Sequence, residues 1–105
     1  MIDEIMKPLG LPCRETQFPR SPVGDYIVYH DDVETDGPDG FVRIFTHNIT
    51  VELYTREPNP EAEADLEAQL NRGGFHWSKQ ARLWVEGAQR YQVIYEFPYY
   101  TKRRI

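Results

Sequence analysis

The chain has 105 residues, of which 40% are hydrophobic and 28% are charged. This suits one soluble domain with a single core, and no apolar run approaches the roughly 20 residues that a membrane span needs. The formal net charge of −5 disfavours nonspecific nucleic-acid binding by the domain as a whole.

The start of the chain and its single cysteine indicate the compartment in which the protein is expected. The N-terminus lacks the cationic start and apolar block of a signal peptide, and Cys13 has no second cysteine with which to form an internal disulfide. We therefore expect a reducing, cytoplasmic environment.

The first predicted elements are a short helix and a long connection. Apolar residues recur at helical spacing at Ile2, Ile5, Met6 and Leu9. The nearby prolines and Gly10 limit this helix to about two turns. Residues 12–24 contain three prolines, which neither continue a helix nor donate to a sheet, so we predict a connecting loop there.

Two β-prone segments follow. Asp25–His30 is rich in β-branched and aromatic residues, and DDVETDGPDG at 31–40 has the composition of a polar hairpin loop. The run Gly40–Thr55 alternates cleanly only from Phe45 onward. Its first half is apolar on both sides, which predicts either that another subunit covers it or that a bulge changes the buried face.

A helix with both ends marked comes next. Asn59-Pro60 suits an N-cap followed by proline at the first helical position, and Gly73-Gly74 suits the C-terminal end. Ala62, Leu66 and Leu70 form a narrow apolar stripe. We interpret the acidic residues Glu61, Glu63, Asp65 and Glu67 as a solvated face or a surface for a basic partner.

The last elements are strands. Residues 75–77 predict a short strand, and Leu83–Glu86 and Arg90–Phe97 predict two stronger ones. The element order predicts an α+β fold with a single, mostly antiparallel sheet and both helices on one face. We expect residues 1–105 to form one domain.

Several patterns that resemble enzyme or metal sites are incomplete. Asp32-x-Glu34-x-Asp36-Gly37 matches the first half of a calcium loop, but Arg43 occupies the position of the bidentate glutamate. The three histidines show no metal-ligand spacing, Cys13 has no identifiable base, and Gly73-Gly74 follows a helix instead of preceding one. We predict no catalytic residue, no metal and no cofactor.

Aromatic residues are concentrated near the end of the chain. Tyr91, Tyr95, Phe97, Tyr99 and Tyr100 lie close together in sequence, more rings than a small core readily holds, which favours an oligomeric interface. The same segment offers a second interpretation. Tyr99-Tyr100 and the basic residues 102–104 would suit stacking on single-stranded nucleic acid.

Residues 49–70, ITVELYTREPNPEAEADLEAQL, followed by RYQVIYEF at 90–97, carry a family resemblance. They resemble the small tail-completion or tail-terminator proteins of long-tailed phages and prophages of Gram-positive bacteria. In that group a strand ending in a Glu-Leu-Tyr motif leads into an acidic helix, and a Tyr-Gln-x-x-Tyr-Glu strand closes the sheet. The resemblance covers about half of the chain closely, and its motifs are structural.

The resemblance implies a structural role in the virion and no enzymatic activity. The subunit would form a ring, expected to be a hexamer, that caps the head-proximal end of the tail tube and joins it to the head connector. Its partners would be further copies of itself, tail-tube proteins and head-connector proteins, with DNA only passing through the ring and no membrane involved. Its location would be the virion and, during assembly, the cytoplasm of the host bacterium.

A closed ring requires two different patches on each subunit that match each other. Our candidates are the two-sided apolar strand, the C-terminal tyrosines and the acidic segment. The predicted interaction residues are Asp31, Asp32, Glu34, Asp36, Asp39, Phe41, Ile44, Phe45, Tyr99, Tyr100 and Arg103.

Two other classes remain as alternatives. A small ferredoxin-like nucleic-acid-binding module would show a basic face and salt-dependent binding of single-stranded RNA. A small hydrolase or metal enzyme would show a concave site that joins His30 or His47 to the acidic segment.

Overall fold

A computed structural model describes residues 1–36 and 42–104, and it places residues 36, 42, 43, 103 and 104 by their backbone alone. The helices are α1 (Ile2–Met6), continued by a 3₁₀ turn (Lys7–Leu9), and α2 (Pro60–Arg72). The strands are β1 (Cys13–Glu15), β2 (Tyr26–Asp36), β3 (Val42–Thr55), β4 (Ser78–Lys79), β5 (Leu83–Val85) and β6 (Arg90–Arg104).

The strands form one six-stranded sheet in the order β1-β2-β3-β6-β4, with β5 also paired to β6. The β1–β2 pair is parallel, whereas the other pairs are antiparallel. The predicted α+β class with a mostly antiparallel sheet is confirmed. Among the described residues, no helix is both long and apolar enough to cross a bilayer.

The core lies between one face of the sheet and the two helices, as the sequence predicts. Alternation along β3 buries Ile49, Val51 and Leu53 on that face. The residues of the buried cluster are Ile2, Met6, Ile27, Ile49, Val51, Leu53, Leu66, Leu70, Val93, Tyr95 and Phe97. Below, this face is the inner face of the sheet and the opposite one is the outer face.

Both predicted ends of α2 are confirmed. The Asn59 side-chain oxygen accepts a hydrogen bond from the Ala62 backbone N–H at 3.0 Å, and Pro60 opens the helix. Gly73 is the C-cap, and Gly74 follows with a φ of 76°. A left-handed backbone at this point is strained for any residue with a Cβ, which explains the second glycine.

Three predicted boundaries are wrong. Residues 13–15 within the predicted proline-rich loop form β1, because they pair with residues 27–29 of β2. The predicted acidic hairpin loop begins too early, since β2 continues to Asp36 in register with β3. Residues 75–77 are not a strand, and the short strand lies instead at Ser78–Lys79.

The predicted end of the last strand and the suggested bulge in β3 are also wrong. β6 does not end at Phe97 but continues to Arg104, so the tyrosine-rich segment is part of the sheet. Residues 42–55 of β3 pair one for one with residues 91–104 of β6, which excludes a bulge in this part of β3. Of the two explanations offered for the apolar first half of β3, cover by another subunit therefore remains as a prediction.

Candidate interaction surface

Strands β2, β3 and β6 continue beyond the part of the sheet that the helices cover. We call this extension the arm and define it as residues 31–36, 42–48 and 98–104. Within the arm, Tyr99 packs against the buried cluster. The arm contributes to an elongated molecule of 50 × 28 × 23 Å. Most predicted interaction residues belong to it.

On the inner face of the arm, one histidine connects all three strands. The Nδ1 atom of His47 lies 3.1 Å from both carboxylate oxygens of Asp31, and its Nε2 atom lies 3.0 Å from the Thr101 hydroxyl oxygen. The geometry suits the tautomer in which Nδ1–H donates to the Asp31 carboxylate and Nε2 accepts a hydrogen bond from the Thr101 hydroxyl. The ring also stacks on Tyr99, with centroids 4.2 Å apart and planes 9° apart.

Aromatic contacts join this histidine to the core. Tyr99 meets Phe75 edge-on at 6.2 Å, and Phe75 packs on Phe97 at 4.6 Å. Burial and, secondarily, the charge of Asp31 raise the pKa of the Tyr99 phenol. The arm is therefore anchored to the buried cluster through a continuous series of rings.

The outer face of the arm is exposed and mixed in character. Tyr100 is 65% exposed and Ile44 is 37% exposed. Glu34 and Tyr100 lie on either side of Thr46, and Lys102 lies beside Ile44. Apolar groups on this face are thus bordered by acid on β2 and by base on β6.

The structure separates the predicted interaction residues between the two faces. On the inner face are Asp31, Phe45 and Tyr99, all half-buried. On the outer face are Asp32, Glu34, Ile44 and Tyr100, all exposed. Asp36 and Arg103 are placed by backbone alone within β2 and β6, and Asp39 and Phe41 lie outside the described residues.

The predicted solvated face of α2 is wrong for two of its acids. Lys79 Nζ lies 2.9 Å from Glu63 and 2.7 Å from Glu67, and Arg82 adds a 2.7 Å ion pair to Glu63. The Tyr95 hydroxyl also donates to Glu67 at 2.7 Å. The basic partner of the helix is therefore the segment that follows it in the same chain.

This network changes the ionisation of its members. Burial raises the pKa of Glu63, but hydrogen bonds from Lys79 and Arg82 outweigh that effect and lower it overall. Burial and the bond to Glu67 raise the pKa of Tyr95. The sequence contained a signal for this network, namely acids four residues apart on α2 and bases within 79–82, but not the chain path that joins them.

The two candidate enzyme histidines lie on opposite faces. His47 meets Asp31 as described, whereas His30 Nε2 lies 3.5 Å from Glu52 on the outer face. Within residues 1–36 and 42–104, no group of three or more His, Cys, Asp or Glu side chains is arranged to hold a metal ion. Both ring nitrogens of His47 are engaged in hydrogen bonds between strands, which gives this residue a structural role.

Comparison with known proteins shows a shared fold. No protein-family model matches the chain, and no curated protein matches its sequence. The chain is similar in structure to a chain from the virion of the native gene transfer agent (GTA) particle, with a TM-score of 0.65 and 12% identity. The similarity covers 94% of this chain and 84% of that one.

Proposed function

We propose that this chain is a single-domain structural subunit of a phage-type virion and has no enzymatic role. The observation that carries this proposal is the similarity in fold, over 94% of the chain, to a chain of a gene transfer agent virion. The sequence resemblance to tail-terminator proteins points in the same direction, independently of the structural comparison.

More specifically, we propose that copies of the chain form a ring, with six subunits as the expected number. The ring caps the head-proximal end of the tail tube, stops its growth and presents a surface to the head connector. DNA passes through the ring without being read. The protein resides in the virion and, during assembly, in the cytoplasm of the host.

The division of the molecule supports this role. The segments that carry the family resemblance, 49–70 and 90–97, form the core of the sheet and α2. The arm projects from this scaffold with exposed apolar and charged side chains on its outer face. Exposed rings and aliphatic groups bordered by charge are typical of surfaces that other proteins cover.

The test combines solution mass with tube capping. The purified chain is measured by size-exclusion chromatography with light scattering, and is then mixed with tail tubes assembled from the tube protein of the same genome and imaged by negative-stain electron microscopy. We expect a ring on one end of each tube and arrested elongation. Tubes that stay uncapped and keep growing, together with a chain that remains monomeric, would overturn the proposal.

One observation favours a nucleic-acid-binding module as the second candidate. Exposed Tyr100 precedes the basic residues 102–104 on β6, a combination that suits single strands. The acidic residues of β2 lie on the same arm, two strands away, and oppose phosphate binding. Binding of single-stranded RNA that weakens steeply with salt and is lost in Tyr100→Ala would favour this alternative.

A further inference from the structure

We propose that neighbouring copies of this chain join edge to edge, with the outer edge of β2 in one copy pairing with the outer edge of β6 in the next. The sheet then continues from subunit to subunit through the arms. This inference rests on the proposed function only in that copies must assemble. It assigns the contact to strand edges instead of the apolar faces.

The edge of β2 is open along the arm. The backbone N–H of Ile27 donates to the Pro12 carbonyl, and the carbonyl of Tyr29 accepts from Thr16, both at 2.8 Å. Odd-numbered residues of β2 therefore direct their backbone groups away from β3. β1 ends at Glu15, opposite Tyr29. The alternation therefore directs the backbone N–H and C=O groups of Val33 and Thr35 away from β3, where the described residues provide no neighbouring strand.

The edge of β6 is open in the same way. The carbonyl of Ile94 accepts from the Gln80 backbone N–H at 2.9 Å, so even-numbered residues of β6 face away from β3. The pairing of β4 with β6 reaches Glu96. Beyond it, the backbone groups of Tyr100 and Lys102 point away from β3, with no strand beside them among the described residues. Pro98, which has no N–H, occupies an outward position where no bond to β3 is lost.

The two edges run in the same direction. β2 and β6 are both antiparallel to β3, so they are parallel to each other. Copies placed side by side in the same orientation then present β6 of one to β2 of the next as a parallel pair. Because the two edges differ, the contact is heterologous, and it forms a ring when the rotation between copies closes after a whole number of subunits.

Charge selects this pairing over the alternatives. Residues 31–36 of β2 contain Asp31, Asp32, Glu34 and Asp36 and no base, whereas residues 99–104 of β6 contain Lys102, Arg103 and Arg104 and no acid. Joining β2 to β6 places acid beside base. Joining β2 to β2, or β6 to β6, places like charges side by side, which is destabilising. The same charges thus protect each edge from symmetric aggregation while admitting the other edge.

The direct test uses two single-cysteine variants in a Cys13→Ser background, namely Thr35→Cys on β2 and Thr101→Cys on β6, distinguished by tags of different mass. Both positions are exposed and lie on the inner face, level with Phe45. A short bismaleimide cross-linker is added to each variant and to their mixture. We expect cross-linked dimers between the two variants in the mixture and almost none when either variant is alone. Dimers of equal yield within the single variants would overturn edge-to-edge pairing.

Charge exchange provides the second test. Glu34→Lys and Lys102→Glu should each weaken assembly roughly tenfold or more, and the double variant should recover most of the loss. Asp65→Lys, on the exposed side of α2, is the matched control and should leave assembly unchanged. Equal weakening by all three single variants, or no recovery in the double variant, would contradict the pairing.

Mass measurements on the same samples, free and bound to tail tubes, separate the two proposals. Oligomers that form without cross-links between β2 and β6 would refute edge-to-edge pairing and leave the proposed ring standing. A chain that stays monomeric both in solution and with tubes would refute both.

Discussion

His47 joins the three strands of the arm through its side chain. Its two ring nitrogens contact side chains from β2 and β6, and its ring face lies on Tyr99. The imidazole is mostly buried, with 16% of its side chain exposed. A buried polar group is stabilising only while its partners remain in place, so loss of this ring should loosen all three strands of the arm.

We therefore expect His47→Phe to lower the free energy of unfolding by about 1–2 kcal/mol. The substitution keeps a flat ring over Tyr99 but removes both hydrogen bonds and leaves Asp31 without its partner. Urea denaturation measures the change. Tyr100→Phe, on the exposed face of the same strand pair, is the control and should stay within about 0.5 kcal/mol of wild type. Equal losses in the two variants would contradict the role assigned to His47.

Glu63 is the second residue with a specific energetic role. Its side chain is only 7% exposed and is held by Lys79 and Arg82. Without the Glu63 carboxylate, Arg82 loses its ion-pair partner, whereas Lys79 keeps Glu67. Breaking a largely buried ion pair by removing one charge is destabilising.

Glu63→Gln should destabilise the fold by about 1–3 kcal/mol at neutral pH. Because folding lowers the pKa of Glu63, its contribution is present above the pKa of the unfolded chain and is lost as pH falls through the lowered folded value. Urea denaturation across acid pH should thus show wild type and variant converging. Asp65→Asn, at an exposed position of α2, is the control and should give no such convergence. A difference in stability between wild type and Glu63→Gln that stays constant at all pH values would contradict the role assigned to the Glu63 carboxylate.

At the level of elements, α2 was predictable almost residue by residue because its signals are local. Asn59, Pro60 and the terminal glycines act through their own backbone neighbourhood, and Leu66 and Leu70 follow the helical period. Strand length is a different matter, because it depends on pairing with a distant strand. Residues 31–36 and 98–104 lack a clear strand pattern of their own, and they continue as strands in register with β3.

The same distinction explains the other missed features. β1 exists through its parallel pairing with β2, which no local pattern in a proline-rich segment indicates. The partners of Glu63 follow it by more than fifteen residues, so the acidic face of α2 was interpreted without them. The candidate residues were found individually, but their division between two faces required the register of the sheet.

The N-cap of α2 should contribute measurably to the stability of the fold. Asn59→Ala should cost about 1 kcal/mol, since the Ala62 backbone N–H loses its acceptor. Asn59→Asp keeps an acceptor and adds negative charge at the helix N-terminus, so it should be tolerated. Thermal unfolding followed by circular dichroism measures both variants. An aspartate variant as unstable as the alanine variant would show that the side-chain oxygen is not the cap.

At the scale of the whole molecule, the chain consists of a compact part, whose sheet the helices cover, and the arm, which extends beyond the helices. The compact part holds the buried cluster, and the arm carries most of the predicted interaction residues. A subunit with this division gains stability from one end and leaves the other end available for neighbours. This arrangement suits the proposed role as a component of a larger particle, and the chain shares its fold with a virion chain.

The position of the protein in assembled particles tests the proposed role at the head–tail junction directly. Particles from the source of this chain, carrying an epitope tag on its N-terminus, are labelled with gold-conjugated antibody and imaged by electron microscopy. We expect gold at the junction of head and tail in most particles. Particles that contain no tagged protein, or that carry it away from that junction, would contradict the proposed role.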